Sequence, residues 1–77
     1  MAMHQLKIKP EYFADVANGV KTFELRKNDR DFKVGDTLIL QEYDGDYTGR
    51  FRKVTVTYLL KGGIYGLDKD YVILGIK

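Results

Sequence analysis

The segment from Gly19 to Asp31, GVKTFELRKNDRD, decides how this chain is read. Phe23 and Leu25 alternate with Glu24 and Arg26, the period of two that marks a strand with one buried face. On that pattern Phe23 and Leu25 point inward, and Glu24 and Arg26 share the opposite face. The strand runs from Thr22 to Lys27. Asn28 to Asp31 then form a turn, because Asn and Asp side chains bond their own backbone. Upstream, Asn18-Gly19 is a left-handed stop for a preceding helix. The segment therefore joins a helix end, a strand and a turn, with much charge packed beside apolar residues.

Working outward, the helix begins at Pro10, whose fixed φ and missing donor suit a first helical turn. Tyr12, Phe13, Val16 and Ala17 fall on one face, and Glu11 lies near the positive end of the helix dipole. A helix this short does not stand alone in water and packs on a sheet through Phe13 and Val16. Before it, Met3 to Lys9 alternates Leu6 and Ile8 with Gln5, Lys7 and Lys9, giving a first strand. After the turn, Val34-Gly35-Asp36 is a second turn, and Thr37 to Tyr43 (TLILQEY) is a strand with Leu38 and Leu40 on one face. Asp44 to Gly49 connects to the longest strand, residues 50–60, in which Val54 and Val56 alternate with Thr55 and Thr57. A loop with three glycines follows, and then YVILGIK, apolar enough to be buried on both sides.

The order β-α-β-β-β-β, mainly β with one N-terminal helix, points to an α+β barrel of about five strands that the helix plugs or flanks. Closing the sheet would remove exposed edges. At 77 residues, 1–77 make one domain. A chain of this size buries only about 60% of its unfolded surface. It has no cysteine, which excludes disulfides, thiolate metal sites and cysteine nucleophiles, and suits a reducing cytoplasm. One histidine, His4, excludes a histidine-rich metal site, and no metal or cofactor is expected. The net charge of +2 is mild, so any nucleic-acid role must rest on where the charges sit. No apolar run approaches the ~20 residues of a membrane span, and no signal segment opens the sequence. The expectation is a soluble, cytoplasmic monomer.

The spacing Gly19-x-Lys21-x-x-Glu24-x-Arg26 is similar to the G-x-K-x-x-E-x-R signature of the ASCH domains, relatives of the PUA fold found in RNA-modifying enzymes. The run KTFELRKNDRDFKVGD, together with YTGR and GGIYGL, resembles the short ASCH-like proteins of bacteria and phages, along nearly the whole chain. The resemblance implies a PUA-like barrel with the signature lining a cleft between helix and barrel wall. It assigns no activity, because those short proteins have none defined.

What the residues offer is consistent with a nucleotide or RNA site. Arg26 presents a planar fork of donors to a phosphate or base edge. Glu24 can accept from an exocyclic amine, and Lys21 can neutralise a phosphate. A surface ion-pair ladder worth ~0–1 kcal/mol is the plain alternative. Lys21 has the parity of Phe23 and would point inward in a regular strand, so Gly19 and the turn must release it, or it caps the barrel end. His4 and Lys7 lie near or on the first strand, and His4 shares the parity of Leu6 and Ile8, which favours a structural place; Asn28 and Arg30 lie in the loop directly after the signature, where Arg30 is a candidate phosphate contact. Arg50 and Arg52 share a face and could extend a track for a nucleic-acid backbone. Most tyrosines are needed for packing. Tyr65, flanked by glycines, is the candidate for a stacking lid.

The leading expectation is binding of RNA, single-stranded or looped, because its bases can be splayed into a cleft. The alternative is a small hydrolase. Some bacterial ASCH relatives deacylate N4-acylcytidine with a lysine, a threonine three residues later and an acidic residue beyond. Lys21 matches the lysine, but Glu24 stands where the threonine belongs, and Thr22 has the opposite parity to Lys21. Ribonuclease-like chemistry would use Lys21 and Glu24 as an acid–base pair. A module acting only through a protein partner has no positive support in the sequence.

Overall fold

A computed structural model describes residues 1–77. Six elements follow the expected order: β1 (Met3–Ile8), α1 (Pro10–Ala17), β2 (Phe23–Lys27), β3 (Thr37–Tyr43), β4 (Tyr47–Lys61) and β5 (Tyr71–Ile76). They build one five-stranded sheet in the order β1-β3-β4-β5-β2. β1 runs parallel to β3, and every other neighbouring pair is antiparallel. The helix carries the chain from one edge strand to the other. No helix is long and apolar enough to cross a membrane.

β4 is the strand that turns a flat sheet into an enclosing one. Its first part, Tyr47 to Thr55, pairs with β3; from Val56 onward it pairs with β5. At the junction Thr57 is an extra residue, since Val56 opposes Ile76 but Tyr58 opposes Gly75. A bulge of this kind bends the strand and increases its twist. Gly75 suits the crowding there: a Cβ on it would lie 3.2 Å from both the Thr57 hydroxyl oxygen and Tyr58 Cβ, tighter than an ordinary contact.

The curved sheet wraps a core of Leu6, Ile8, Phe13, Phe32, Leu38, Leu40, Val56, Val72, Leu74 and Ile76. Leu38 and Leu40 share the inner face as their alternation requires, and Phe13 and Val16 press α1 against that core. The helix starts at Pro10 and ends in a Schellman turn. The Val20 N–H reaches the Asp15 carbonyl at 2.9 Å and the Gly19 N–H reaches that of Val16 at 3.1 Å, with Gly19 at φ +74°.

Three expectations change. β5 is not buried on both sides: Val72, Leu74 and Ile76 point inward, while Tyr71 is exposed and Ile73 half-buried. The expected interior of β2 is inverted. Phe23 and Leu25 are about half exposed, and Glu24 is buried, so β2 gives no apolar side chain to the core. Finally, the sheet does not close. β1 and β2 are its two edges, with no ladder between them.

Four polar side chains are buried, His4, Glu24, Asp36 and Glu42, and each is bonded. Asp36 accepts from His4 Nε2 at 2.9 Å and from the Ala2 and Lys33 N–H groups at 3.0 Å each. The His4 bond and those two amides hold its carboxyl below the ordinary aspartate value, against the opposing effect of burial. His4 also meets the Phe32 ring edge-on at 4.8 Å, so it fastens β1 to the loop after β2.

Candidate functional site

Where the ladder fails to close, side chains bridge the gap. Arg26 of β2 donates Nη2–H to the Lys7 carbonyl at 2.6 Å. Arg30, in the turn beyond β2, donates Nη1–H to the Gln5 carbonyl at 3.0 Å. Gln5 and Lys7 are alternate residues of the β1 edge, so the two arginines supply donors to an edge that no strand covers. The seam they span opens into a cleft of about 430 Å³ between β1, β2 and the start of α1.

The cleft is built on one buried carboxylate. Glu24, 3% exposed, accepts from Lys21 Nζ through one oxygen and from Arg26 Nε at 3.0 Å through the other. Lys21 precedes the first residue of β2, so strand parity does not bind it. The Schellman turn carries it to the cleft, with its own N–H on the Asp15 carbonyl at 3.0 Å. Its ammonium lies 5.5 Å from the Tyr12 ring centroid and 5.1 Å from that of Phe23, within the range of cation–π attraction.

Donors remain after these bonds are made. An ammonium carries three N–H groups and a guanidinium five. Glu24 takes one from Lys21, and Glu24 and the Lys7 carbonyl take two from Arg26. The other guanidinium nitrogen, Nη1, makes no bond within the protein. Lys7 and Lys9 are the other cationic residues of the lining, and Ile8, Tyr12, Phe23 and Leu25 are its apolar members. The site thus joins fixed, partly dry cations to aromatic walls, which suits a planar group carrying negative charge.

Of the residues singled out in the sequence, Lys7, Lys21, Glu24 and Arg26 line this cleft. Glu24 has a different part from the one expected: with both oxygens taken, it orients the two cations and does not read a base edge. Lys7 contributes its carbonyl to Arg26, while its ammonium stacks 4.3 Å from the Tyr43 ring. Arg30 belongs to the seam but not to the lining.

The others are elsewhere. His4 is bonded to Asp36 in the interior. Asn28 Oδ1 accepts the Phe32 N–H at 3.4 Å and shapes the turn. Arg50 and Arg52 do share a face, but it is the face that holds the helix. Arg50 forms a two-pronged pair with buried Glu42 at 2.8 Å and lies over the Phe13 ring, and Arg52 donates to the Ala17 carbonyl at 3.3 Å. The Thr48 hydroxyl and Arg50 together hold the Glu42 carboxyl below its ordinary range. Tyr65 is 94% exposed at φ +52° and is not in the cleft lining, so it forms no lid over it. Sequence reasoning missed Lys9 and Tyr12. Their signal was Pro10, which places a first helical turn directly after the edge strand.

Comparison with known proteins adds two findings. A relative from Escherichia phage P2, the "Uncharacterized 12.9 kDa protein in GpA 3'region", is 43% identical over 73 residues. The match takes in 94% of this chain and 65% of the relative, so the chain spans a little under two thirds of that protein's length. The domain of unknown function DUF3850 matches residues 3–76, which take in all six elements and the whole cleft. The chain belongs to the DUF3850 family.

Proposed function

We propose that the seam cleft binds RNA, single-stranded or looped, or a nucleotide derived from it, with Lys21 and Arg26 on phosphate or a base edge and Tyr12 and Phe23 against the base. The observation that carries this reading is the pair of cations fixed on buried Glu24 with N–H groups still available above it. A binding site profits from donors already oriented, since less side-chain freedom is lost when the ligand arrives. The resemblance to ASCH domains points the same way, and we propose that kinship and a PUA-like barrel, opened at the β1–β2 seam, as the evolutionary frame.

The hydrolase alternative has weaker support. Glu24 stands in the threonine position and both its oxygens are engaged, and Thr22 is not in the cleft lining. The test is fluorescence anisotropy of a short labelled RNA, repeated across salt concentrations. Each phosphate contact on a single strand contributes about −0.7 to the slope of log K against log salt. Lys21→Met is expected to flatten the slope by about that amount, and Lys53→Ala, on the outward side of β4, to leave it unchanged. Absence of binding at low salt refutes the proposal.

A further inference from the structure

The cleft holds more positive charge than its own carboxylate balances. Its cationic residues are Lys7, Lys9, Lys21 and Arg26, and Glu24 is its one acidic member. The Lys7 ammonium is turned onto the Tyr43 ring at 4.3 Å, which leaves Lys9, Lys21 and Arg26. Lys21 and Arg26 share Glu24, and no carboxylate pairs with Lys9. The lining thus keeps an excess of two positive charges.

The phosphates of nucleic acids come in two forms. A diester within a chain carries one negative charge. A terminal monoester carries about −1.5 to −2 at pH 7, with a second pKa near 6, and presents three strong acceptor oxygens. The monoester suits the charge of this cleft, and it suits the donors. Once Glu24 and the Lys7 carbonyl are served, Lys21 keeps two N–H groups and Arg26 three, and the Lys9 ammonium is unbonded. Nor do these cations run on as the basic groove that tracks a chain of diesters. Arg50 and Arg52, the pair that could extend one, are tied to Glu42 and to the Ala17 carbonyl. The cleft volume of about 430 Å³ lies near the lower end of small-ligand pockets, about 300–1,000 Å³, and fits one nucleotide better than a run of them.

We infer that the cleft selects a terminal phosphomonoester, on a free nucleotide or on a phosphorylated RNA end, over the diesters within a chain, and that Lys9 supplies the charge that makes the distinction. This rests on reading the cleft as a nucleotide site. Calorimetry of the full chain at low salt compares a nucleoside monophosphate, inorganic phosphate, and tetranucleotides of one sequence ending in a 5′-phosphate, a 3′-phosphate or hydroxyls only. A hydroxyl-ended hexanucleotide matches the total charge of the phosphorylated tetranucleotides and controls for general attraction. Near neutral pH a phosphorylated tetranucleotide binds about 10-fold or more tightly than either hydroxyl-ended ligand, the worth of one further charge-assisted hydrogen bond. The advantage shrinks as pH falls through about 6 and the phosphate gains its second proton. Hydroxyl-ended ligands meet the same Lys7, Lys9, Tyr12, Lys21, Glu24 and Arg26, so titration of those groups is common to both. Lys9→Ala narrows the ratio and Lys9→Arg keeps it. Lys9 is exposed, and circular dichroism verifies that both variants fold.

Equal affinity for phosphorylated and hydroxyl-ended ligands overturns the inference while the cleft reading survives. A ratio that Lys9→Ala leaves unchanged overturns the assignment of Lys9. Inorganic phosphate binding as tightly as the mononucleotide upholds the preference for a phosphate dianion and overturns the nucleotide reading. No binding by any of these ligands overturns both. Tighter binding of the mononucleotide than of the phosphorylated tetranucleotides upholds the inference with a free nucleotide as ligand, and the reverse order upholds it with an RNA end.

Discussion

Replacing Glu24 by glutamine removes the charge that Lys21 and Arg26 share while keeping the shape of the side chain. The amide oxygen can serve one cation, but the amide nitrogen then faces the other. The glutamate is 3% exposed, and the side chains of Lys21 and Arg26 are 16% and 24% exposed, so all three sit below bulk water. Breaking a buried pair by removing one partner costs about 3–5 kcal/mol. The lower end, about 3 kcal/mol, applies here because both cations open onto the cleft and gain some hydration there. A chain of 77 residues has a total stability of roughly 4–12 kcal/mol. The loss is thus a large fraction of it, equivalent to a fall in Tm of about 12–24 °C. Urea unfolding followed by circular dichroism measures it as a lower midpoint at unchanged m-value. The combined variant Lys21→Met, Glu24→Leu, Arg26→Met removes charge and counter-charge together, and regains most of the stability while losing nucleotide binding. A loss below about 1 kcal/mol for Glu24→Gln would contradict this burial cost and make the trio an ordinary surface ladder.

Other expectations concern the remaining buried polar groups and one glycine. Asp36 binds its proton more weakly folded than unfolded, so its contribution is complete above the unfolded value near 3.8 and disappears as pH falls through the lower folded value. The urea midpoint should therefore decline on acidification below about pH 4–5, and Asp36→Asn should flatten that decline. Arg50→Ala leaves buried Glu42 with Thr48 alone, so thermal unfolding shifts to lower temperature while RNA affinity in anisotropy stays unchanged. Gly62→Ala would set a Cβ 1.8 Å from the Asp68 carbonyl oxygen, a backbone clash that no rotamer relieves; circular dichroism should show the loop-bearing end displaced or the chain unfolded.

Much of the fold was legible because its signals are local. Pro10 and Gly19 mark the helix ends through their own backbone chemistry, and Leu38 and Leu40 on β3 show a burial that alternation alone predicts. What alternation cannot say is which of two faces is inside. On β2 hydrophobicity favoured Phe23 and Leu25, yet Glu24 is interior because Arg26, on its own face of the strand, and Lys21, from the turn before the strand, converge on it. That convergence depends on a turn conformation and on the spatial nearness of β1, neither of which spacing encodes. The same limit applies to Arg50 and Arg52. Their shared face was evident, but the helix carbonyl and the buried Glu42 that occupy them come from elements distant in sequence. Closure of the sheet was also beyond reach, since two edges bridged by Arg26 and Arg30 leave the same alternation pattern as two edges joined by a ladder.

The most direct test is a chemical-shift titration of the isotope-labelled chain with a nucleoside monophosphate at low salt. Saturable shifts should gather at Lys9 to Tyr12 and at Lys21 to Arg26, with the Arg26 guanidinium resonance moving and those of Arg50 and Arg52 still. Shifts confined to Arg50 and Arg52, or none at all up to millimolar ligand, would contradict the claim that the seam is where this protein binds.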